Sequence, residues 1–159
     1  MKLAVIAVGS LKEKYYKEAC GEYLKRMTAM QPVEMLEIPE ERIADEKDSS
    51  QVARALEIEG RHILSRLRAG DSPVALTPDG FMMDSIEFAG MIDTRADLEY
   101  KRLVFIIGSS HGLSQDVYHH CIRKLSLGCM TFPHQLTRVM LLEQIYRGQM
   151  IAAGRTYHK

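Results

Sequence analysis

The sequence predicts an α/β protein with a mostly parallel β-sheet that is covered by helices on both faces. Apolar, β-branched runs alternate five times with segments of helical periodicity. Several of these runs are apolar throughout, as expected for strands that are buried on both faces. Such alternation favours βαβ crossovers. The chain has 159 residues with no repeat, linker or low-complexity segment, so we expect a single domain over residues 1–159.

The first predicted elements are a strand at Lys2–Val8, a helix over Lys12–Met30 and a strand at Val33–Ile38. The first strand is apolar and is followed by Gly9-Ser10, a turn signal. Pro32 stops the helix, because proline lacks the N–H that a helix interior requires. Residues at four-residue spacing form the amphipathic stripe of this helix: Tyr15, Ala19, Tyr23 and Met27.

A long second helix is predicted from a cap at Ser49-Ser50 through to Gly70. Serine is a favoured N-cap, because its hydroxyl accepts a hydrogen bond from an unpaired N–H of the first turn. Gly70-Asp71 then makes a turn. The apolar face of the helix comprises Val52, Leu56, Ile63 and Leu67.

The C-terminal half continues the alternation of strands and helices. Ser85 and Ser114 are candidate helix caps, and Pro133 suits the start of the final helix. The predicted strands are Pro73–Thr77, Leu103–Ile107 and Lys124–Leu127. Three helices are predicted: one that begins at Ser85, one from Ser114 to about Ile122, and one from His134 to about Ile151.

Charge is balanced, with 21 basic and 21 acidic residues, which argues against binding nucleic acid by bulk charge alone. The distribution is uneven. Residues 34–48 hold seven acidic and two basic residues, whereas the segment from His134 to the end holds four basic residues and one acidic residue. The C-terminal end is therefore a candidate basic patch, although ordinary solvated surface charge explains the same pattern.

The sequence predicts neither a metal site nor a membrane segment. The three cysteines, Cys20, Cys121 and Cys129, have no CxxC spacing, and the six histidines include no HExxH motif. No run approaches the roughly 20 apolar residues that span a bilayer. The N-terminus predicts a buried strand, since a signal peptide has a longer apolar core and a cleavage site. We therefore expect a cytoplasmic protein without disulfides.

Three predicted strands end in loops of unusual composition: Leu76–Gly80, Gly108–Gly112 and Leu127–Pro133. In open parallel sheets, ligands bind beyond the carboxyl ends of the strands. The second loop opens a helix and can receive an anion or a ligand, although a plain turn uses the same glycines. The third loop is uncharged and suits an aromatic ring held by backbone groups, although a structural connector fits the pattern equally well.

The last helix and the tail carry cations, rings and titratable groups. His134 and Arg138 fall on one side of the helix with Leu141 and Ile145. Such groups contact phosphates and stack on bases in RNA-binding proteins, although a basic, frayed terminus is the alternative. The candidates are His134, Arg138, Tyr146, Arg147, Arg155, Tyr157, His158 and Lys159.

Segments from end to end of the chain carry a family resemblance. They are MKLAVIAVGSLKEKYY, LTPDGFMMDSIEFA, FIIGSSHGLS, LSLGCMTFPHQLTRVMLLEQIYR and the terminal YHK. They resemble the bacterial ribosomal RNA large subunit methyltransferase H family, a SPOUT-class group of enzymes. The block TFPHQLxRVxLxEQIYR with a terminal YHK is highly specific. Two positions depart from the family pattern: Ser109 replaces the second residue of a GG pair, and Gly148 replaces an alanine.

The resemblance implies an S-adenosylmethionine-dependent enzyme that methylates N3 of a pseudouridine in 23S ribosomal RNA, on the assembled ribosome. It implies a homodimer and a deep trefoil knot in the C-terminal part of the chain. Cofactor contacts are implied at Leu76 after the third strand, at Gly108 after the fourth, and in a run after the fifth. That run comprises Leu127, Gly128, Cys129, Met130, Thr131 and Phe132.

The N3 proton of the target base must leave before the nitrogen can attack, and His134, Tyr157 and His158 are candidate bases. Arg138 and Arg155 are candidates for holding phosphates or stabilising the developing base anion. Two alternatives remain at this stage. A non-catalytic ribosome-binding or RNA-binding module needs the basic tail but not the apolar loop. A nucleotide hydrolase needs an acidic metal ligand at a strand end, where only Asp79 qualifies.

Overall fold

The computed structural model describes residues 1–93 and 101–157. Within these ranges strands and helices alternate from β1 to α5, as predicted. The strands are β1 (Lys2–Val8), β2 (Val33–Ile38), β3 (Asp71–Met82), β4 (Arg102–Ile107) and β5 (Arg123–Ser126). The helices are α1 (Lys14–Met27), α2 (Ser49–Ser65), α3 (Ser85–Ile92), α4 (Gln115–His120) and α5 (His134–Ala152).

The strands form one sheet in the order β2-β1-β4-β3-β5, and neighbouring strands pair in parallel. The prediction of a mostly parallel α/β sheet is therefore confirmed. β1 and β4 lie at the centre, where Val5 of β1 is in register with Phe105 of β4 and both are fully buried. Because parallel strands point the same way, the carboxyl ends of β4, β3 and β5 meet at one edge of the sheet.

Helices cover both faces of the sheet. Alternate residues of β1 point to opposite sides, so Val5 packs in one core with Phe88 and Leu141, and Ile6 packs in the other with Ile63. The first core lies under α1, α3 and α5, and the second lies under α2 and α4. The apolar runs of the strands follow from this burial on both sides.

β3 is longer than predicted. The expected end at Thr77 was wrong, because the strand continues through Pro78-Asp79-Gly80 to Met82. β5 pairs with β3 on both sides of a register shift between Leu76 and Phe81. The turn-like residues therefore form an irregularity inside the strand, and local sequence signals do not distinguish this from a strand end.

Two helix starts differ from the prediction by one residue. α2 is capped by Asp48, whose carboxylate accepts hydrogen bonds from the N–H groups of Ser50 and Gln51. α3 is capped by Asp84 in a reciprocal capping box with Glu87. In both cases aspartate precedes the serine and provides the acceptor. The predicted cap of α4 is confirmed, because the Ser114 hydroxyl accepts from the N–H of Val117.

Candidate active site

A cavity of about 540 Å³ lies at the carboxyl ends of β4, β3 and β5. Its walls come from residues 76–78, 107–110, 112, 125–128 and 130–134, with Tyr118 and Thr137 completing the lining. The three loops singled out in the sequence therefore lie together, because their strands are neighbours in the sheet. Among the predicted cofactor residues in the lining are Leu76, Gly108, Leu127, Gly128, Met130, Thr131 and Phe132.

Cys129 is the predicted cofactor residue that the structure places outside this lining. Its side chain is exposed, and its thiol lies 3.8 Å from the sulfur of Met82. The neighbouring Met130 lies in the lining but is 72% exposed, which places it at the rim. The run from 127 to 132 thus borders the cavity without every side chain facing it.

The lining of the cavity is almost free of charge. Of the described residues that form it, none is aspartate, glutamate, lysine or arginine. Leu76, Ile107 and Leu125 are apolar and buried, and Ser126 and Thr77 supply hydroxyl groups. A concave, mainly apolar site with a few polar groups suits an uncharged ring system.

Gly108 begins the loop that follows β4. A Cβ at Gly108 would lie 2.1 Å from the carbonyl oxygen of Gly112, so no larger residue fits without moving the backbone. The N–H of Gly112 donates to the carbonyl of Ser109 at 3.0 Å, which tightens the same loop. Ser109 has a negative φ, so its side chain causes no backbone strain in this loop.

His134, at the start of α5, is the predicted catalytic residue that lines the cavity. Burial lowers the pKa of its imidazole, Arg138 and Lys12 lower it further, and Glu40 opposes them. A Cβ built on Gly9 would lie 3.6 Å from Nε2 of His134 and 3.4 Å from a carboxylate oxygen of Glu40, so both side chains flank the end of β1. The neutral imidazole is therefore favoured at neutral pH.

Arg138 lies one turn further along α5 but is only 1% exposed. Its guanidinium donates to the carbonyl oxygen of Gly9 at 2.8 Å and pairs with Glu37. It is not part of the cavity lining. The structure thus places Arg138 where it holds α5 against the end of β1, and not where a phosphate would meet it.

Tyr157 packs against its own α5, away from His134. Its hydroxyl donates to Glu143 at 3.3 Å, and its ring meets that of Tyr146 edge-on with centroids 4.9 Å apart. The guanidinium of Arg147 lies 4.9 Å from the Tyr157 ring centroid, and burial raises the pKa of the Tyr157 hydroxyl. His158, the fourth predicted catalytic residue, lies outside the described residues.

A second hollow, of about 640 Å³, adjoins the first and shares residues 125–128 with it. α5 contributes Val139 and Met140 to it, and Phe88 of α3 lies in its wall. Nearby apolar side chains are unusually exposed, with Met82 at 54% and Ile86 at 61%. This apolar face lies next to the candidate site.

Glu59 is a buried acid of α2 that reaches the Gly108–Gly112 loop, and it is a site residue that no sequence motif predicted. The Ser109 hydroxyl donates to the Glu59 carboxylate at 2.9 Å. A signal was available, because Glu59 falls between Leu56 and Ile63 on the apolar face of a predicted helix. An acid at such a position requires a buried partner.

Two kinds of feature are absent from the part of the chain that the structure describes. Its helices include none with the length and apolar character needed to cross a membrane. Residues 1–93 and 101–157 also contain no group of three or more histidine, cysteine, aspartate or glutamate side chains arranged to hold a metal ion.

Comparisons with known proteins agree with this architecture. Residues 1–158 match a family described as predicted SPOUT methyltransferase. A protein of Lactococcus lactis subsp. lactis named ribosomal RNA large subunit methyltransferase H is 44% identical over 159 residues, covering all of both chains. A protein of the same name from Streptococcus agalactiae serotype III is 42% identical, again over both full lengths.

Two solved structures share the fold. A probable methyltransferase from Bordetella pertussis has a TM-score of 0.57 at 15% identity, covering 93% of this chain and 94% of the other. A probable methylase family protein from Haemophilus influenzae has a TM-score of 0.54 at 11% identity, covering 99% of this chain and 70% of the other. With the sequence matches along its whole length, the chain belongs to the SPOUT methyltransferases and, among them, to the ribosomal RNA large subunit methyltransferase H family.

Proposed function

We propose that this enzyme uses S-adenosylmethionine to methylate N3 of a pseudouridine in 23S ribosomal RNA, on the assembled ribosome in the cytoplasm. The observation that carries the proposal is the uncharged cavity bordered by His134, in a chain that matches methyltransferases along its full length. The same family membership favours an enzyme over a non-catalytic RNA-binding module. Asp79, the acid on which a hydrolase would depend, pairs with Thr77 and Lys124.

The residues present fit the proposed cofactor. The cavity volume of about 540 Å³ is within the usual range for small-molecule sites, and its apolar walls suit an adenine ring. We assign the contacts to Leu76, Gly108 and residues 127–132. When bound, S-adenosylmethionine supplies an electrophilic methyl group on a positively charged sulfur. The protein then has mainly to position the target base and to remove its proton.

His134 is our candidate for the proton acceptor. A general base works best when its neutral form dominates at the working pH, and burial of His134 favours that form. The imidazole lies in the cavity lining, where an RNA base that enters from the open side of the cavity would contact it. Arg138 stabilises the position of α5 at this site by donating a hydrogen bond to the carbonyl oxygen of Gly9.

We propose a homodimer in which the tail of one protomer serves the site of its partner. Val139 and Met140 border an apolar hollow beside the cavity, and exposed Met82 and Ile86 extend that face. Tyr157 lies outside the cavity of its own chain, so a role for Tyr157 and His158 in binding RNA fits the partner's cavity better. The deep trefoil knot is part of the same proposal, and family membership supports it.

The test is mass spectrometry of 23S ribosomal RNA from a strain that lacks the gene. Restoring the wild-type gene is expected to restore one methyl group on one pseudouridine, whereas His134→Gln is expected to restore little of it. Purified enzyme with labelled S-adenosylmethionine is expected to methylate assembled ribosomes better than free RNA. Identical RNA masses with and without the gene would contradict the proposal.

A further inference from the structure

Glu59 is a buried acid that the proposed chemistry does not use. Its side chain is 3% exposed, near the middle of α2. One carboxylate oxygen accepts a hydrogen bond from the backbone N–H of Glu41 at 3.0 Å, and the other accepts from the Ser109 hydroxyl at 2.9 Å. A buried carboxylate is costly even when it is hydrogen-bonded. Burial accordingly raises the pKa of Glu59, and nearby Glu40 and Glu41 raise it further.

The two hydrogen bonds of Glu59 join two segments that are distant in the sequence and lie at the candidate site. Ser109 belongs to the loop after β4 and lines the cavity. Glu41 follows Glu40, whose carboxylate flanks the end of β1 together with His134. Glu59 therefore connects the loop assigned to the cofactor with the segment beside the proposed proton acceptor.

The packing of α2 places Glu59 at this depth. Gly60, the next residue, lies directly against the start of α4, where a Cβ would come within 2.3 Å of the Ser114 hydroxyl oxygen. Only glycine allows so close an approach between α2 and α4. From this position the Glu59 side chain reaches the loop after β4.

We infer that Glu59 is a positioning residue of the methyl-transfer site, which holds the cofactor loop in its binding conformation through the Ser109 hydroxyl. The inference rests on the proposed function. A loop that is already ordered does not lose that freedom on binding, so fixing it tightens ligand affinity.

A double-mutant cycle on cofactor affinity tests the inference. S-adenosylhomocysteine binding is measured by calorimetry for the wild type, Ser109→Ala, Glu59→Ala and the double variant. Each single change is expected to weaken binding roughly tenfold, because a buried hydrogen bond to a charged group is lost. The double variant is expected to bind about as weakly as the weaker-binding single variant, because both changes remove the same Ser109–Glu59 hydrogen bond.

A conservative variant and steady-state kinetics separate positioning from general structural damage. Glu59→Gln can still accept from the Glu41 N–H and bond to Ser109, so its affinity is expected to stay within about threefold of the wild type. In Ser109→Ala, KM for S-adenosylmethionine is expected to rise while KM for ribosomes is unchanged. Matched controls on the exposed side of α2 are Glu57→Ala and Ser65→Ala, which are expected to bind normally.

The outcomes are distinguishable. If the wild type does not bind S-adenosylhomocysteine, the proposed function fails and this inference fails with it. If the wild type binds but Ser109→Ala and Glu59→Ala bind equally well, only this inference is overturned. Equal loss in the control variants would also overturn it. If Glu59→Ala does not fold, the comparison of Ser109→Ala with the wild type decides alone.

Discussion

The guanidinium of Arg138 donates a hydrogen bond to the carbonyl oxygen of Gly9 at 2.8 Å, across 129 positions of sequence. This contact fixes the start of the last helix against the end of the first strand. His134 lies one turn earlier on the same helix and flanks the same glycine. The proposed proton acceptor thus owes its position to a residue that is itself buried away from solvent.

Replacing Arg138 is expected to destabilise the fold. Arg138→Ala leaves the Gly9 carbonyl and Glu37 without their partner, at a cost of about 2–4 kcal/mol in the free energy of unfolding. Denaturation by urea measures this loss. Arg54→Ala, on the exposed side of α2, is the matched control and is expected to change stability by less than about 0.5 kcal/mol. Equal stability of Arg138→Ala and the wild type would contradict the assigned role.

Saturating S-adenosylhomocysteine is expected to raise the melting temperature. At a hundredfold excess over Kd, linkage contributes about 2.7 kcal/mol. Gly108→Val is expected to abolish the shift, because its Cβ would collide with the Gly112 carbonyl and distort the loop. Gly21→Ala is the control, since its added Cβ meets nothing within 4 Å. A melting temperature that responds to ATP and not to S-adenosylhomocysteine would favour a hydrolase.

Methyl transfer is expected to fall in acid as His134 becomes protonated. Burial lowers the pKa of His134 below its ordinary 6.5, so the midpoint of the activity loss is expected below pH 6.5. The free energy of unfolding is also expected to decrease in acid. The unfolded chain takes up this proton first as the pH falls below 6.5, so the folded state loses stability there.

The pH dependence is measured as kcat/KM and as the free energy of unfolding between pH 5 and 8. His134→Gln is expected to lose most methyl-transfer activity. Its free energy of unfolding is expected to lack the decrease in acid that His134 causes. His119→Gln, on the exposed side of α4, is expected to behave as the wild type. An unchanged pH profile in His134→Gln would remove His134 from the role of proton acceptor.

The wild type is expected to sediment as a dimer of the 18.1 kDa chain at micromolar concentration. Met140→Glu places a charge on the apolar face of α5 and is expected to release monomers, because burying an unpaired carboxylate is costly. Ile122→Glu, at an exposed apolar residue elsewhere, is the control and is expected to remain dimeric. A monomeric wild type would contradict the proposed assembly.

Deleting residues 155–159 is expected to separate RNA modification from folding. The loss of Tyr157 from its contact with Tyr146 is expected to cost at most about 1.5 kcal/mol of stability. S-adenosylhomocysteine affinity is expected to stay nearly intact, while methyl transfer to ribosomes collapses. If turnover survives the deletion, the tail has no part in methyl transfer and His134 remains the assigned catalytic residue. If cofactor affinity is lost instead, the tail belongs to the cofactor site.

Much of the fold was predictable because its signals are local. The strand bounds of β1 and β2 and the cap of α4 agree with the prediction, since apolar runs and capping residues act within a few positions. The predicted end of β3 at Thr77 was wrong, because the true end depends on a contact with a distant strand. Proline, aspartate and glycine resemble a turn, and only the pairing with β5 keeps them within the strand.

Local patterns predict the α/β class, the order of the elements and the three loops that line the cavity, because each depends on residues that are adjacent in the chain. Only the folded chain shows that Arg138 turns inward, that Tyr157 packs on its own last helix and that Glu59 contacts Ser109. Helical periodicity shows that one side of a helix faces other residues. It does not show which residue, 50 or 129 positions away, supplies the carbonyl, carboxylate or hydroxyl on that side.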